Sequence, residues 1–364
     1  MKLGYVPALD GLRAIAIIGV LADHTGYGVF HDGGFGVDVF FVLSGFLITT
    51  LLLEEFEGTG GFSLSLFWWR RGGRLLPALA VVCAFVAVTF SVYRPTDWQK
   101  TLYGVGASAL YLSAWVRAFN LSSLGWMGHT WTLAVEEWFY ILWPIAAVLA
   151  LRRNRLGLFV ASLASVAVAY RLVSEHTFSS AYLINAPDQQ ANLLLIGCAL
   201  AVLLLRRREL LSPSVAVPSA WIALAMLAVL LGGLAGERTT HGLRFYSGEI
   251  TLIGIATAVV ITATLLAPAS LIARGLGVRP AVWVGKRSYG IYLWHYPLMG
   301  LATPVHTYTG VTLLASRLVV IVSSFVAAAG SYRWIERPCI RAVRRREQAV
   351  RAARRRSEVI PAAR

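Results

Sequence analysis

Two residues able to do acid–base and anion-binding chemistry share the first apolar stretch of this sequence. Arg13 and His24 lie in GLRAIAIIGVLADH. On an α-helix their spacing places both side chains within about 20° of one face, roughly 16 Å apart along the axis. An imidazole among apolar residues suits a general base, and a guanidinium binds anions. The alternative is a snorkelling arginine and a hydrogen-bonded histidine at the helix end.

The second apolar stretch, GVDVFFVLSGFLIT at 36–49, contains two polar residues, Asp38 and Ser44. A polar side chain in hydrocarbon is costly and normally faces a partner or a cavity. The two lie about 240° apart around a helix and therefore do not form a simple dyad. Asp38 is predicted to orient His24 or to balance its charge from the neighbouring helix. Ser44 beside Gly45 is predicted to be chiefly a packing notch, with direct chemistry as the alternative.

An arginine cluster follows in FWWRRGGRLLP, where Arg71 and Arg74 share one helix face and Arg70 is close by. Guanidinium groups bind phosphate in a bidentate fashion, so the cluster could hold a phosphorylated acyl carrier. The alternative is ordinary cytoplasmic positive charge.

Two further stretches carry polar groups. In HTWTLAVEEWFYILWP, Glu136 and Glu137 diverge by about 100°, so at most one of them faces a central cavity, and Glu136 shares its face with Tyr140. In SYGIYLWHYP, Tyr292 and His295 are neighbours on one helix face. They are predicted to line the cavity or the acceptor site, with an aromatic interface belt as the alternative.

The composition requires these stretches to be membrane helices. Of 364 residues, 57% are hydrophobic and 14% charged, against about 25% charged in soluble chains. The net charge is +15, but no nucleic-acid motif accompanies it. The basic residues instead form short clusters between apolar runs, as cytoplasmic loops do, at 70–74, 152–155, 206–208, 274–287 and beyond 337.

The apolar runs predict an all-α integral membrane protein, a polytopic bundle of about ten transmembrane helices. The stretch 101–116 is predicted to be re-entrant or interfacial, because a further span would put two basic loops on opposite sides. Both termini are predicted to be cytoplasmic, with 174–189 and 305–310 outside. Residues 1–340 form one membrane domain, and 341–364 a basic, disordered cytoplasmic tail. The three cysteines lack metal-ligand spacing, so no metal is expected.

Taken together, these stretches resemble the membrane-bound acyltransferase 3 family. Arg13 with His24, the motifs at 36–49, 70–77, 129–144 and 288–297, and their order along the chain all match. The resemblance implies O-acylation of a carbohydrate or glycosylated natural product with acetyl-CoA. It also implies an essential His24 and carrier binding by Arg13, Arg71 and Arg74. A stand-alone form without a periplasmic esterase-like domain is expected.

The predicted function is therefore an O-acyltransferase of the plasma membrane, with His24 as general base and Asp38 and Glu136 as its acidic catalytic residues. Acyl-CoA, most simply acetyl-CoA, is the co-substrate, and no cofactor is permanently bound. The predicted partners are a hydroxylated glycan or glycoside and the lipid bilayer, with no nucleic acid. The alternative is a proton-coupled secondary transporter in which the same three residues relay protons, although the sequence shows no repeated halves.

Overall fold

The computed structural model of the protein is a helical bundle that describes residues 3–26, 34–93, 95–231, 246–302 and 310–359. These residues form fifteen α-helices and no strand. The helices are α1 (Pro7–His24), α2 (Gly34–Thr59), α3 (Leu64–Tyr93), α4 (Trp98–Ala109), α5 (Ser113–Ala118), α6 (Trp131–Arg152), α7 (Leu156–Ser174), α8 (Ser180–Asn185), α9 (Pro187–Arg206), α10 (Pro213–Leu231), α11 (Tyr246–Leu266), α12 (Leu271–Leu276), α13 (Arg279–Leu301), α14 (Gly310–Ser331) and α15 (Arg337–Val359).

The predicted all-α, polytopic membrane architecture is confirmed. Within the described ranges, seven helical stretches are long and apolar enough to cross a bilayer; they contain α2, α3, α6, α7, α9, α11 and α14. The apolar part of α10 is shorter. The helices α1 and α13 are 18 and 23 residues long, but each contains charged residues. These three helices complete the ten predicted spans, a number that stays a prediction.

The stretch 101–116 falls on two short helices, α4 and α5. The longer of them has 12 residues, which at a rise of 1.5 Å per residue gives about 18 Å. A bilayer core is about 30 Å thick. Neither helix can therefore cross it alone, in agreement with the predicted re-entrant or interfacial segment.

Glycines bring α2 and α9 into close contact. A Cβ atom at Gly45 of α2 would overlap the carbonyl group of Leu194, and a Cβ atom at Gly197 of α9 would overlap the carbonyl oxygen of Val42. Small residues at such contacts let helix backbones approach closely, which is a main source of helix association in membranes. The other central contact packs α1 along α13. These two helix pairs contain three of the polar stretches of the sequence, those on α1, α2 and α13.

The basic tail differs from the prediction of disorder. Residues 337–359 form α15, and residues 360–364 of the tail lie outside the described residues. Residues 305–309 of the predicted exterior loop also lie outside the described residues. Arginine, alanine, glutamate and glutamine are good helix formers. The helix also packs on α3, where the Arg346 guanidinium lies 4.6 Å from the centre of the Trp69 ring. Packing against a partner supplies the stability that an isolated polar helix lacks.

Candidate active site

A cavity that is partly open to its surroundings lies among α1, α2, α3, α6 and α13. Its polar lining residues come from all five helices: Arg13, Ser44, Arg71, Arg74, Thr132, Glu136, Tyr140, Ser288, Tyr289 and Tyr292. Phenylalanine, leucine and valine side chains from α2 cover one side of it. An apolar wall with convergent polar groups is typical of a ligand site.

Three guanidinium groups converge on this cavity. Arg13 donates from Nη2 to the hydroxyl oxygen of Ser288 at 3.1 Å, and the Arg71 guanidinium lies 3.8 Å from the centre of the Tyr140 ring. Arg74 lies beside them, one helical turn from Arg71. Of the described residues that line this cavity, Glu136 is the one carboxylate, so three guanidinium groups leave an excess of positive charge that suits an anionic ligand such as a phosphate.

Arg70 is not part of this group. Its two terminal nitrogens form ion pairs with Glu55 at 3.1 Å and with Glu347 of α15 at 3.0 Å. The predicted carrier-binding role of Arg70 therefore has no support from the geometry, because the side chain joins α2, α3 and α15 instead of lining the cavity. The role of Arg70 could not be distinguished from that of Arg71 in the sequence, because the ion-pair partner Glu347 lies far along the chain on α15.

A hydrogen-bonded chain of three side chains also lines the cavity and adjoins Arg71. Ser44 donates to the carboxylate of Glu136, and the Tyr140 hydroxyl donates to Ser44 Oγ at 2.9 Å. Glu136 lines the cavity and Glu137 does not, as the divergence of adjacent helical residues predicts. Gly45 forms the predicted packing contact, whereas Ser44 hydrogen-bonds within the cavity, and direct chemistry by Ser44 stays a prediction. Because Tyr140 also contacts Arg71, the chain positions that guanidinium.

A second polar group, the histidine cluster, consists of His24, His129 and His295. The His24 and His295 ring centres are 5.1 Å apart, and those of His129 and His295 are 5.3 Å apart. The Tyr296 ring contacts all three imidazoles at 5.1–6.0 Å. Among the described residues, no group of three or more His, Cys, Asp or Glu side chains is arranged to hold a metal ion.

Backbone carbonyls set the tautomers of two of these imidazoles. His24 Nδ1 lies 3.0 Å from the carbonyl oxygen of Val20, and His295 Nδ1 lies 2.6 Å from that of Tyr292. A carbonyl oxygen only accepts, so each neutral ring carries its proton on Nδ1 and leaves a lone pair on Nε2. His295 is 1% exposed, whereas His24 is half-buried. His24 is therefore the more exposed of these two imidazoles.

Tyr292 connects the cavity to the histidine cluster. It lines the cavity, and its ring centre lies 5.3 Å from that of His129 and 5.4 Å from that of His295. Its hydroxyl donates to the His129 carbonyl oxygen at 2.6 Å and accepts from Thr132 Oγ1 at 2.7 Å. Tyr292 therefore belongs to the lining of the cavity and also contacts the histidine cluster, whose three imidazoles do not themselves line the cavity. This position agrees with the cavity role predicted for Tyr292.

The sequence analysis did not assign a role to His129. It begins the HTWTL motif at the end of the 3₁₀ helix Gly125–Thr130 and is 2% exposed. A buried histidine at the start of an apolar run was the available signal. His295 was predicted to line the cavity, but its contacts place it in the histidine cluster, outside the cavity lining.

Asp38 does not orient His24. Within the described part of the chain, it forms no hydrogen bond or ion pair with the imidazole, and the charged groups that act on it are Arg171 and Glu249. Its carboxyl group is buried. The predicted pairing fails because helix packing, not distance along the sequence, decides which residue faces α1.

A family model described as an acyltransferase domain, that of acyltransferase 3, matches residues 6–333. Peptidoglycan O-acetyltransferase OatA of Listeria monocytogenes is 35% identical over 357 residues, covering 92% of this chain and 56% of that protein. O-acetyltransferase OatA of Staphylococcus aureus is 32% identical over 350 residues, covering 92% of this chain and 57% of that protein. The chain thus spans a little more than half the length of these relatives. No solved structure matches it.

Proposed function

The chain belongs to the acyltransferase 3 family, and from that premise we propose that it is an O-acetyltransferase that moves an acetyl group from acetyl-CoA to a glycan hydroxyl. The names of its relatives, peptidoglycan O-acetyltransferases, support the glycan acceptor. The observation that carries the proposal is Tyr292, which lines the cavity with the three arginines and contacts the histidine cluster that contains His24. We infer that the cavity and the cluster are two levels of one site.

The distance between the two levels supports a long donor. Arg13 and His24 lie roughly 16 Å apart along α1, so one reacting carbon cannot contact both. Phosphates held by Arg13, Arg71 and Arg74 leave a thioester on a flexible arm to extend past Tyr292 to His24. Coenzyme A thioesters have this shape. Arg13 therefore binds the carrier and is too far from the reacting carbonyl to stabilise its oxyanion.

His24 supplies the acid–base chemistry of the transfer. Its Nε2 accepts the hydroxyl proton while the acceptor oxygen attacks the thioester carbon. The carbon–oxygen bond forms, the carbon–sulfur bond breaks, and the imidazolium returns the proton to the leaving sulfur, which departs as a thiol. Glu136 takes no part in this step, because it accepts from Ser44 in the donor cavity. It is a positioning residue for Arg71 through Tyr140.

The transporter alternative has less support from the geometry. A proton relay requires its titratable groups to form a continuous hydrogen-bonded chain. Glu136 lies in the cavity, His24 lies in the histidine cluster, and Asp38 is not among the residues that line the cavity, the charged groups that act on it being Arg171 and Glu249. The three predicted relay groups therefore occupy three separate places in the bundle.

The direct test of the proposed function uses purified full-length protein in lipid nanodiscs. Acetyl-CoA labelled in its acetyl group is added with a soluble glycan, and labelled glycan and free CoA are measured together. We expect both products in equal amounts. Glycan without label, despite bound donor, would contradict the proposed function.

Replacing Arg71 or Arg74 by alanine is expected to raise the KM for acetyl-CoA about tenfold, with a much smaller change in kcat. A charge-assisted hydrogen bond contributes about 1.5–3 kcal/mol, and uniform binding of the carrier appears in KM. Arg70→Ala is the matched control, because Arg70 is adjacent on α3 but pairs with Glu55 and Glu347 outside the cavity. An equal increase in KM for Arg70→Ala would contradict carrier binding by Arg71 and Arg74, and would mean that the three arginines act only as cytoplasmic positive charge.

We further propose that both termini face the cytoplasm. The basic loops near Arg208 and Gly277 then lie on the cytoplasmic side, and the short helix α8, which contains Ala181, lies outside. Reporter fusions at Arg208 and Gly277 are expected to give the cytoplasmic signal, and a fusion at Ala181 the exterior one. A cytoplasmic signal at Ala181 would invert the proposed orientation of the site.

A further inference from the structure

A row of five aromatic rings lies at the end of the bundle that holds the histidine cluster. The members of this aromatic row contact one another in sequence, from α5 across α8 to α7: Trp115, Phe119, Tyr182, Phe178 and Tyr170. The ring centres of successive members are 5.9, 5.5, 4.6 and 6.3 Å apart. None of these residues lines the cavity that contains the arginines.

The row is exposed and its geometry is fixed. Phe119 is 56% exposed, Tyr170 38% and Phe178 37%. The hydroxyls of Tyr170 and Tyr182 both donate to the carboxylate of Asp188, at 3.0 and 3.2 Å. Rings held in this way present constant faces, so a ligand that packs on them does not have to order them first.

The carboxylate also shows which environment the row faces. Asp188 is half-buried at the first turn of α9, beside the exposed rings. A carboxylate with its hydroxyl partners is costly in hydrocarbon and stable at an aqueous boundary. The row therefore lies at the water-facing rim of the bundle, where a polar ligand can approach it.

One contact ties the row to the reacting end of the site. Arg117, on α5 between Trp115 and Phe119, donates from Nη1 to the carbonyl oxygen of Gly128 at 3.0 Å. Gly128 immediately precedes His129, whose ring contacts that of His295. The short helix α5 thus carries aromatic rings on the rim and is hydrogen-bonded to the backbone beside the histidine cluster.

We propose that the aromatic row is the binding site for the sugar rings of the acceptor and guides a hydroxyl toward His24. Sugar rings have apolar C–H faces and polar hydroxyl edges, so their faces pack on aromatic rings while the edges remain in water. This inference rests on the proposed glycan acetyl transfer. A belt of tyrosine and tryptophan at the lipid interface also exposes rings. Such a belt does not require the rings to contact one another, or to be joined by a hydrogen bond to the backbone beside the histidine cluster, as they are here.

The test compares Phe119→Ala with Leu121→Ala in full-length protein in nanodiscs. Leu121 is a matched control, because it is 65% exposed, lies two residues away and has no ring. Binding of a soluble tetramer of N-acetylglucosamine is measured directly, without donor, and the KM values for tetramer and acetyl-CoA are measured during transfer. Monodispersity of each extracted variant confirms that it is folded.

Phe119→Ala is expected to weaken tetramer binding about tenfold, with an unchanged KM for acetyl-CoA. Leu121→Ala should bind the tetramer like the wild type, and Phe119→Trp should restore binding. Phe178→Ala, on the other side of Tyr182, should reproduce the loss. Wild-type affinity in both alanine variants, equal loss in Leu121→Ala, or no tetramer binding by the wild type would overturn the proposal. A wild type that binds the tetramer but transfers no acetyl group would count against the proposed function alone.

Discussion

Replacing His24 by glutamine is expected to reduce acetyl transfer by about 10²–10⁴-fold, the usual contribution of a general base. Glutamine can still donate to the Val20 carbonyl oxygen that His24 contacts, so the end of α1 keeps its hydrogen bond. Glutamine has no basic nitrogen, however, and cannot accept the proton of the acceptor hydroxyl. The loss should appear in kcat, while the KM for acetyl-CoA should change little because the arginines lie roughly 16 Å away.

The measurement is transfer of labelled acetyl groups at matched amounts of monodisperse protein. His176→Gln is the control, because His176 is an exposed histidine outside the histidine cluster, and its activity should equal that of the wild type. If His24 is only a structural polar group, the glutamine variant should retain most of the activity. Near-normal turnover would therefore remove the catalytic role of His24 and the mechanism that depends on it.

Replacing Gly45 by leucine is expected to prevent formation of the folded bundle. A Cβ atom at this position would overlap the backbone carbonyl of Leu194. Backbone atoms cannot rotate away as a side chain can, so α2 and α9 would have to separate along their whole contact. Tight packing is a main source of stability between membrane helices, and overpacking of this kind leaves the bundle without one of its two central helix pairs.

Gly58→Leu is the matched control on the same helix, because a Cβ atom at Gly58 has no neighbour within 4 Å. Leucine is a better helix former than glycine by about 0.5–1 kcal/mol, so this variant should be at least as stable as the wild type. Size-exclusion chromatography and the Tm of detergent-extracted protein compare the two. A Gly45→Leu variant with the Tm of the wild type would show that α2 and α9 tolerate separation.

Features that depend on helix periodicity were predictable from the sequence. Helix geometry alone places Arg71 and Arg74 on one face and Glu136 with Tyr140 on another, and all four line the cavity. The division of Glu136 from Glu137 follows from the same angle of about 100° per residue. The break of 101–116 into two short helices is consistent with the sequence argument. If the basic loops at 70–74 and 152–155 lie on the same side of the membrane, the number of spans between them must be even.

Features that depend on the partner of a helix face were not predictable. Asp38 was expected to face His24, but in the described part of the chain it forms no hydrogen bond or ion pair with the imidazole, and the charged groups that act on it are Arg171 and Glu249. Arg70 looks equivalent to Arg71 in the sequence, yet Glu347, 277 residues further along the chain, forms an ion pair with it. The expected disorder of the tail fails for the same reason, because α3 provides a surface on which α15 packs.

The sequence by itself determined that the chain is an all-α membrane protein and which face of each helix is polar, since hydrophobicity and helix angles are properties of neighbouring residues. Only the tertiary structure brought His24, His129 and His295 together from α1, the 3₁₀ helix before α6, and α13. It likewise decided that Ser44 donates to Glu136 and that Tyr292 lines the cavity and contacts the histidine cluster. Such contacts join residues far apart in the chain, and they depend on the close packing of whole helices, which no local pattern specifies.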